Sequence, residues 1–154
     1  MQVNDKVADF TLQSEEDKTV HLKDYAGKPV VLFFYPRADT PGCTIEACGF
    51  RDVFKKIQQA GAVVLGISRD TPRAQKKFKE KYNLPYTLLA DVDEAVCKQF
   101  DVLKEKNMYG KKVKGIERTT FLIGPDQKLL KIFPKVKPEG HAEEVLEAVK
   151  AAHG

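Results

Sequence analysis

The sequence has no C-x-x-C pair and no paired cysteines or histidines at zinc-ligand spacing. It also has no apolar run approaching the ~18 residues of a membrane span. The first absence argues against an ordinary dithiol reductase, the second against a zinc site, and the third against a spanning helix. Three cysteines in 154 residues are too few for a secreted disulfide scaffold. They suit a reducing compartment in which a thiol does chemistry. The opening MQVNDKVADF lacks the basic-then-apolar pattern of a secretion signal. The expected location is the cytoplasm, or an organelle interior if a transit peptide has been removed. No internal repeat, low-complexity tract or Pro/Gly/Ser linker interrupts the chain, so a single domain over 1–154 is expected.

What is present is ordinary for a soluble globular domain: 42% hydrophobic and 31% charged residues, with a net charge of +4. Lysine is spread along the chain, with a concentration from Lys104 to Lys114 around Tyr109-Gly110. One aromatic and no nucleic-acid motif make this run a solvated loop rather than a nucleic-acid patch. The histidines, His21, His141 and His153, are scattered and read as solvated or capping residues.

Strand and helix patterns alternate. Short strands fit Phe10–Leu12 and Thr19–Leu22, joined by the polar turn Ser14–Lys18 as an N-terminal β-hairpin. KPVVLFFYP is a continuous β-branched and aromatic run, as in a strand buried on both faces. A helix follows from Pro41 to about Gln59, closed by Gly61. AVVLGIS is a second buried strand. DTPRAQKKFKEKY is a helix capped by Asp70 or Thr71, with Pro72 in its first turn. Thr87–Ala90 reads as a strand and Glu94–Phe100 as a short helix. TTFLI and LLKIF pair through a turn at Gly124-Pro125-Asp126, and an amphipathic helix with Val145, Leu146 and Val149 on one side follows. This order means an α/β sandwich, a mixed central sheet flanked by helices, compatible with a thioredoxin-like core.

The chemistry concentrates in YPRADTPGCTIEACGF. With Thr40 as N-cap and Pro41 as first helical residue, Cys43 falls in the first turn, among N–H groups that lack helical partners. Those groups and the helix dipole favour an anion, and the thiolate is the reactive form of cysteine. Gly42 adds no side chain beside it, so a small substrate could approach. Thr40 has two compatible readings: a cap accepting the Cys43 N–H, or a hydroxyl donating to the thiolate or to a bound oxygen. Phe50, Val53, Phe54 and Ile57 mark the buried face, and Cys43 and Glu46 share roughly that face.

Cys48 lies about 140° round the helix from Cys43, nearer the outer surface. Their Cα atoms are roughly 8–9 Å apart in an intact helix, beyond disulfide reach. Two readings stay open: one reactive cysteine with a bystander, or a device in which the first turns unwind so that Cys48 captures the oxidised Cys43. Cys97, near Val96 and Phe100, reads as a packing cysteine.

Pro36-Arg37-Ala38-Asp39-Thr40-Pro41-Gly42-Cys43 matches the peroxiredoxin pattern of Pro, three residues, Thr or Ser, two residues, Cys. The longer YPRADTPGCTIEACGFRD, with GISRD, YTLLADVDEAVCKQFDV and ERTTFLIGPDQK, resembles the peroxiredoxin Q or bacterioferritin comigratory protein branch over nearly the whole chain. The resemblance implies a thiol-dependent peroxidase without metal, flavin or haem. Cys43 would attack the peroxide and become a sulfenic acid. Cys48 would resolve it as an intrachain disulfide, and a thioredoxin or glutaredoxin-type donor would restore the dithiol. Thr40 would hydrogen-bond thiolate and peroxide, and Pro36 would shield the site.

Arg118 in ERTTFLI matches the arginine that the family brings from a distant strand. A guanidinium there would favour the thiolate and donate to peroxide oxygens. Glu46 could orient it, and Arg37 and Arg51 are weaker candidates for the same part. Cys97 is an alternative resolver only where a Cys48 equivalent is missing. An intrachain bond needs no second subunit, so a monomer is expected. Two competing readings are a disulfide oxidoreductase using Cys43 and Cys48, and a redox-gated binding module whose helix start unwinds on oxidation.

Overall fold

The computed structural model describes residues 1–153, the side chains of Met108 and His153 excepted. The expectation for His153 therefore falls outside the described side chains.

β3 (Val30–Phe34) is buried along its whole length because both faces of the sheet are covered. Val31, Phe33 and Tyr35 enter one core with α1 (Pro41–Gln59), α2 (Pro72–Tyr82) and α4 (His141–His153). Val30, Leu32 and Phe34 enter the other, with Phe10, Leu12 and α3 (Ala95–Gln99). This alternation is the two-residue period of a strand. β3 is flanked by β4 (Val63–Ser68), parallel to it, and β8 (Thr119–Ile123), antiparallel to it. β5 (Thr87–Ala90) and β9 (Leu129–Phe133) extend the sheet on the two sides. The N-terminal hairpin of β1 (Thr11–Ser14) and β2 (Thr19–His21) completes the seven-stranded order β2-β1-β5-β4-β3-β8-β9. The sheet is mixed and sandwiched by helices, as the element order predicts.

Three local expectations need correction. The first strand begins at Thr11 and runs to Ser14, one to two residues later than the pattern predicts. Leu22 does not end β2 but opens a 3₁₀ turn over Leu22–Tyr25. The run Lys104–Lys114 is not a loop. It forms a separate hairpin of β6 (Leu103–Met108) and β7 (Lys111–Ile116). Tyr109 and Gly110 both take positive φ, 52° and 78°, at the tight turn that joins two twisted strands. With solvent around most of the hairpin, no apolar alternation advertises it.

Helix boundaries follow local chemistry. In α2 the Thr71 side chain accepts the Ala74 N–H at 3.2 Å, and Pro72 takes the first turn. Asp91 accepts the Val96 and Cys97 N–H groups at 3.1 and 2.7 Å and so anchors α3. Gly49 brings α1 close to α4: a Cβ there would lie 3.3 Å from the Ala142 Cβ.

Candidate active site

β3 delivers the chain to a loop, Tyr35 to Thr40, that α2 and the end of β4 hold in place. Asp39 adopts a left-handed backbone, φ 60°. Its carboxylate accepts the Tyr82 hydroxyl at 2.7 Å and the Lys81 ammonium at 2.9 Å. The Ala38 N–H donates to Asp70 at 2.7 Å, and Ser68 donates to the same carboxylate oxygen at 2.6 Å. Pro36 is half-buried in this loop. Contacts at Ala38 and Asp39 thus fix the entry angle of α1.

Thr40 does not cap α1. Its hydroxyl donates instead to the Arg37 carbonyl at 2.8 Å, so it neither accepts the Cys43 N–H nor reaches the thiol. Among the described residues, no side-chain hydrogen bond from the N-cap position closes the start of this helix. The first-turn N–H groups of Gly42 and Cys43 therefore remain on the helix end for an incoming polar atom. The Thr40 carbonyl accepts the Thr44 N–H at 2.8 Å and begins the helical ladder.

Cys43 is buried, with 1% of its surface exposed. Arg118, immediately before β8, reaches across to it. Nη2 lies 3.3 Å from Cys43 Sγ and Nη1 lies 2.8 Å from Glu46 Oε1. One planar fork spans both groups, a geometry that a lysine could not reproduce. The Arg118 backbone is held as well, its carbonyl accepting the Val136 N–H at 2.9 Å. Gly42 has to be glycine for this packing: a Cβ would lie 3.0 Å from Arg118 Nη2 and 3.4 Å from Pro138.

Glu46 has a fully buried side chain. Burial pushes its carboxyl up to about 7, with the Arg118 charge and hydrogen bond acting in the opposite direction. Its second oxygen, Oε2, has no hydrogen-bond partner among the described residues and lies 4.0 Å from His141 Nε2.

His141 departs from the sequence expectation. It is not solvated but 3% exposed, packed edge-on between the Phe50 and Phe133 rings and bonded to Thr120 Oγ1 at 2.7 Å. A lone histidine opening a polar helix gives no sign in sequence of which way its ring turns. His21, by contrast, stays partly exposed beside Thr11.

The remaining candidates separate. Arg37 is exposed. Arg51 binds Asp52 and the Tyr82 carbonyl, on the Cys48 side of the helix rather than at Cys43. Cys48 is half-buried, and all three cysteines are free thiols. Cys97 lies in the core on the opposite face of the sheet from Cys43. Burial, aided by the Asp91 carboxylate, pushes its thiol far up. The sequence missed Asp39, Asp70, Tyr82 and His141, all of which act through folding partners distant in the chain.

The AhpC/TSA family pattern matches residues 3–132. The chain belongs to the AhpC/TSA family. Peroxiredoxin Bcp of Bacillus subtilis is 44% identical over 150 residues, covering 97% of this chain and 96% of its own. A solved structure of the Xanthomonas campestris bacterioferritin comigratory protein superposes with a TM-score of 0.91 at 42% identity, covering 94% of this chain and 92% of its own. A cysteine mutant of Xylella fastidiosa PrxQ gives a TM-score of 0.93 at 39% identity, with 98% and 96% covered. The chain is therefore a peroxiredoxin of the Bcp/PrxQ branch with a thioredoxin-like fold, and a thiol-dependent peroxidase. That decides against the disulfide oxidoreductase and binding-module readings as the primary activity.

Proposed function

We propose that Cys43 is the peroxidatic thiol and Cys48 its resolving partner. The observation that carries this reading is the Arg118 fork, which holds one nitrogen on Cys43 Sγ and the other on a buried carboxylate. A permanent cation at that distance favours the thiolate. The same nitrogen can also donate to the peroxide oxygen on which negative charge develops. The uncapped N–H groups of Gly42 and Cys43 add further donors at the same helix end. Pro36 shields the site, Gly42 makes room for the Arg118 guanidinium rather than for an incoming substrate, and Glu46 fixes the guanidinium plane. Thr40 serves the peroxide if its hydroxyl leaves the Arg37 carbonyl when substrate enters.

In the first step the Cys43 thiolate attacks the peroxide O–O bond. The new S–O bond gives a sulfenic acid, and the other oxygen leaves as water or alcohol after taking a proton. The Cys48 thiol then attacks the sulfenic sulfur, forming a disulfide and releasing water. Because an intact helix keeps the two Cα atoms roughly 8–9 Å apart, the start of α1 must unwind first. Unwinding breaks the Arg118–Glu46 pair and the bond from the Tyr86 hydroxyl to the Ala47 carbonyl, 2.6 Å long. Helix ends open at much lower cost than the whole fold.

The substrates are hydrogen peroxide and small organic hydroperoxides; the Xanthomonas relative is described in terms of alkyl peroxide reduction. A thioredoxin or glutaredoxin-type dithiol returns both cysteines to thiols, and no cofactor takes part. The enzyme works as a monomer in the cytoplasm, with residues 1–154 as one domain. The test is sulfenic-acid trapping in Cys48→Ser after a peroxide pulse. One label per chain on Cys43 is expected; labelling elsewhere, or none, overturns the assignment.

A further inference from the structure

Behind Arg118, away from Cys43, the buried face holds an arrangement that the reaction above does not use. Glu46 Oε2 is sealed from solvent and without a hydrogen bond among the described residues, and it lies 4.0 Å from His141 Nε2. The other ring nitrogen, Nδ1, lies 3.1 Å from Glu144 Oε1, whose side chain is 61% exposed. An ionised Glu144 can only accept, so Nδ1 carries the hydrogen and Nε2 presents a lone pair. The Thr120 hydroxyl, 2.7 Å away, donates to that lone pair. A carboxylate oxygen without a partner then lies 4.0 Å from the edge of an imidazole in a buried site, an arrangement that costs free energy unless the pair holds a proton. Thr120 fits either case, because its hydroxyl accepts from Nε2–H as readily as it donates to bare Nε2.

We infer that Glu46 and His141 are a proton-holding pair that controls, through Arg118, how strongly the site stabilises negative charge on Cys43 and on the departing peroxide oxygen. This rests on Cys43 being the peroxidatic thiol. His141 is a positioning residue, since it touches neither Cys43 nor substrate.

The electrostatics give the direction. With the pair deprotonated, Arg118 is shared between two anions, the Glu46 carboxylate and the thiolate. With one proton on the pair, the charge facing Arg118 from behind is cancelled, and the guanidinium serves the thiolate and the transition state. Burial raises Glu46 to about 7 and lowers His141, so the pair changes charge in the neutral range. Charged and titratable groups surround it on several sides. Arg118 and Cys43 lie on the catalytic side. Glu144 lies on α4, and Tyr86, at the edge of β5, couples electrostatically to Glu46. Lys131, Lys135, Lys137 and Glu139 line the open cleft beside His141. Glu144 is the one that connects the pair to solvent, and so provides the path by which the proton enters and leaves.

The test is the pH dependence of the second-order rate constant between reduced enzyme and hydrogen peroxide, in wild type, Glu46→Gln and His141→Gln. The wild-type rate constant is expected to fall by about fivefold or more from neutral to alkaline pH. Glu46→Gln, nearly the same shape and able to accept from Arg118, should lose the alkaline fall. His141→Gln should keep a fall but displace it along the pH axis. A purely structural role for either residue would lower the rate at every pH and leave the profile's shape alone. A wild-type profile without an alkaline fall, or one retained unchanged in both variants, overturns the pair while leaving Cys43 in place. No reaction at Cys43 at any pH overturns the peroxidatic assignment and the pair with it.

Discussion

Arg118 Nη2 lies 3.3 Å from Cys43 Sγ, although the two residues are 75 positions apart in the chain. The contact exists because β8 runs antiparallel to β3, which brings the start of β8 beside the loop that leaves β3, with Phe34 opposite Thr119. Replacing Arg118 by lysine keeps the charge but not the two-pronged geometry. The reaction of Cys43 with hydrogen peroxide should slow by about 10²-fold, the order found when one preorganised donor is lost. Stopped-flow kinetics read this directly; an unchanged rate would mean that the guanidinium is a structural ion pair only.

Gly42→Ala tests the same relationship by crowding it. The added methyl would lie 3.0 Å from Arg118 Nη2, the mobile end of a long side chain, so the fold can give way there with little loss of stability. The guanidinium would be pushed off Cys43. Peroxide reactivity should fall much more than the melting temperature, which calorimetry and kinetics on one preparation will show.

Stability should depend on pH through Glu46. Its folded carboxyl stands at about 7 against an ordinary 4.5. The folded state therefore binds the proton more tightly than the unfolded chain does. Stability from this group is fully present below about 4.5 and is lost as pH rises towards about 7, a change of at most about 3 kcal/mol. His141 acts with the opposite sign: its folded value is lowered by burial, so stability is gained as pH rises towards its ordinary 6.5. Where the two overlap they oppose each other, so the comparison of wild type with Glu46→Gln isolates the carboxyl. In Glu46→Gln the loss between about pH 5 and 7 should disappear, as measured by urea denaturation at several pH values. A difference between the wild-type and Glu46→Gln curves that stays constant across that range would contradict the assignment.

Cys97 should be inert. It is fully buried on the far face of the sheet, and burial holds its thiol protonated. Cys97→Ser should cycle with a thioredoxin donor at the wild-type rate, with a modest loss of stability from the buried hydroxyl. Loss of cycling would make Cys97 part of the redox path.

Much of this was legible in the sequence because it is local. The buried run of β3, the Pro41 start and Gly61 close of α1, and the Thr71 cap are all set by residues within a turn of one another. Cys43 at the first turn followed from the same rules. Thr40 misled because the choice between capping and bonding the Arg37 carbonyl depends on how the loop is bent by Asp39, Tyr82 and Lys81, which the spacing does not encode. The lysine-rich hairpin was hidden because its strands bury little and so show no apolar alternation. His141 was hidden because only the sandwich of Phe50 and Phe133, from two separate elements, turns its ring inward.

The central claim is that Cys43 and Cys48 work as one redox pair across an unwinding helix start. Peptide mapping by mass spectrometry, after a stoichiometric pulse of hydrogen peroxide without reductant, tests it most directly. A Cys43–Cys48 linkage formed within seconds, with Cys97 still a thiol, is the predicted result. Unmodified Cys43, or a linkage through Cys97, would contradict it.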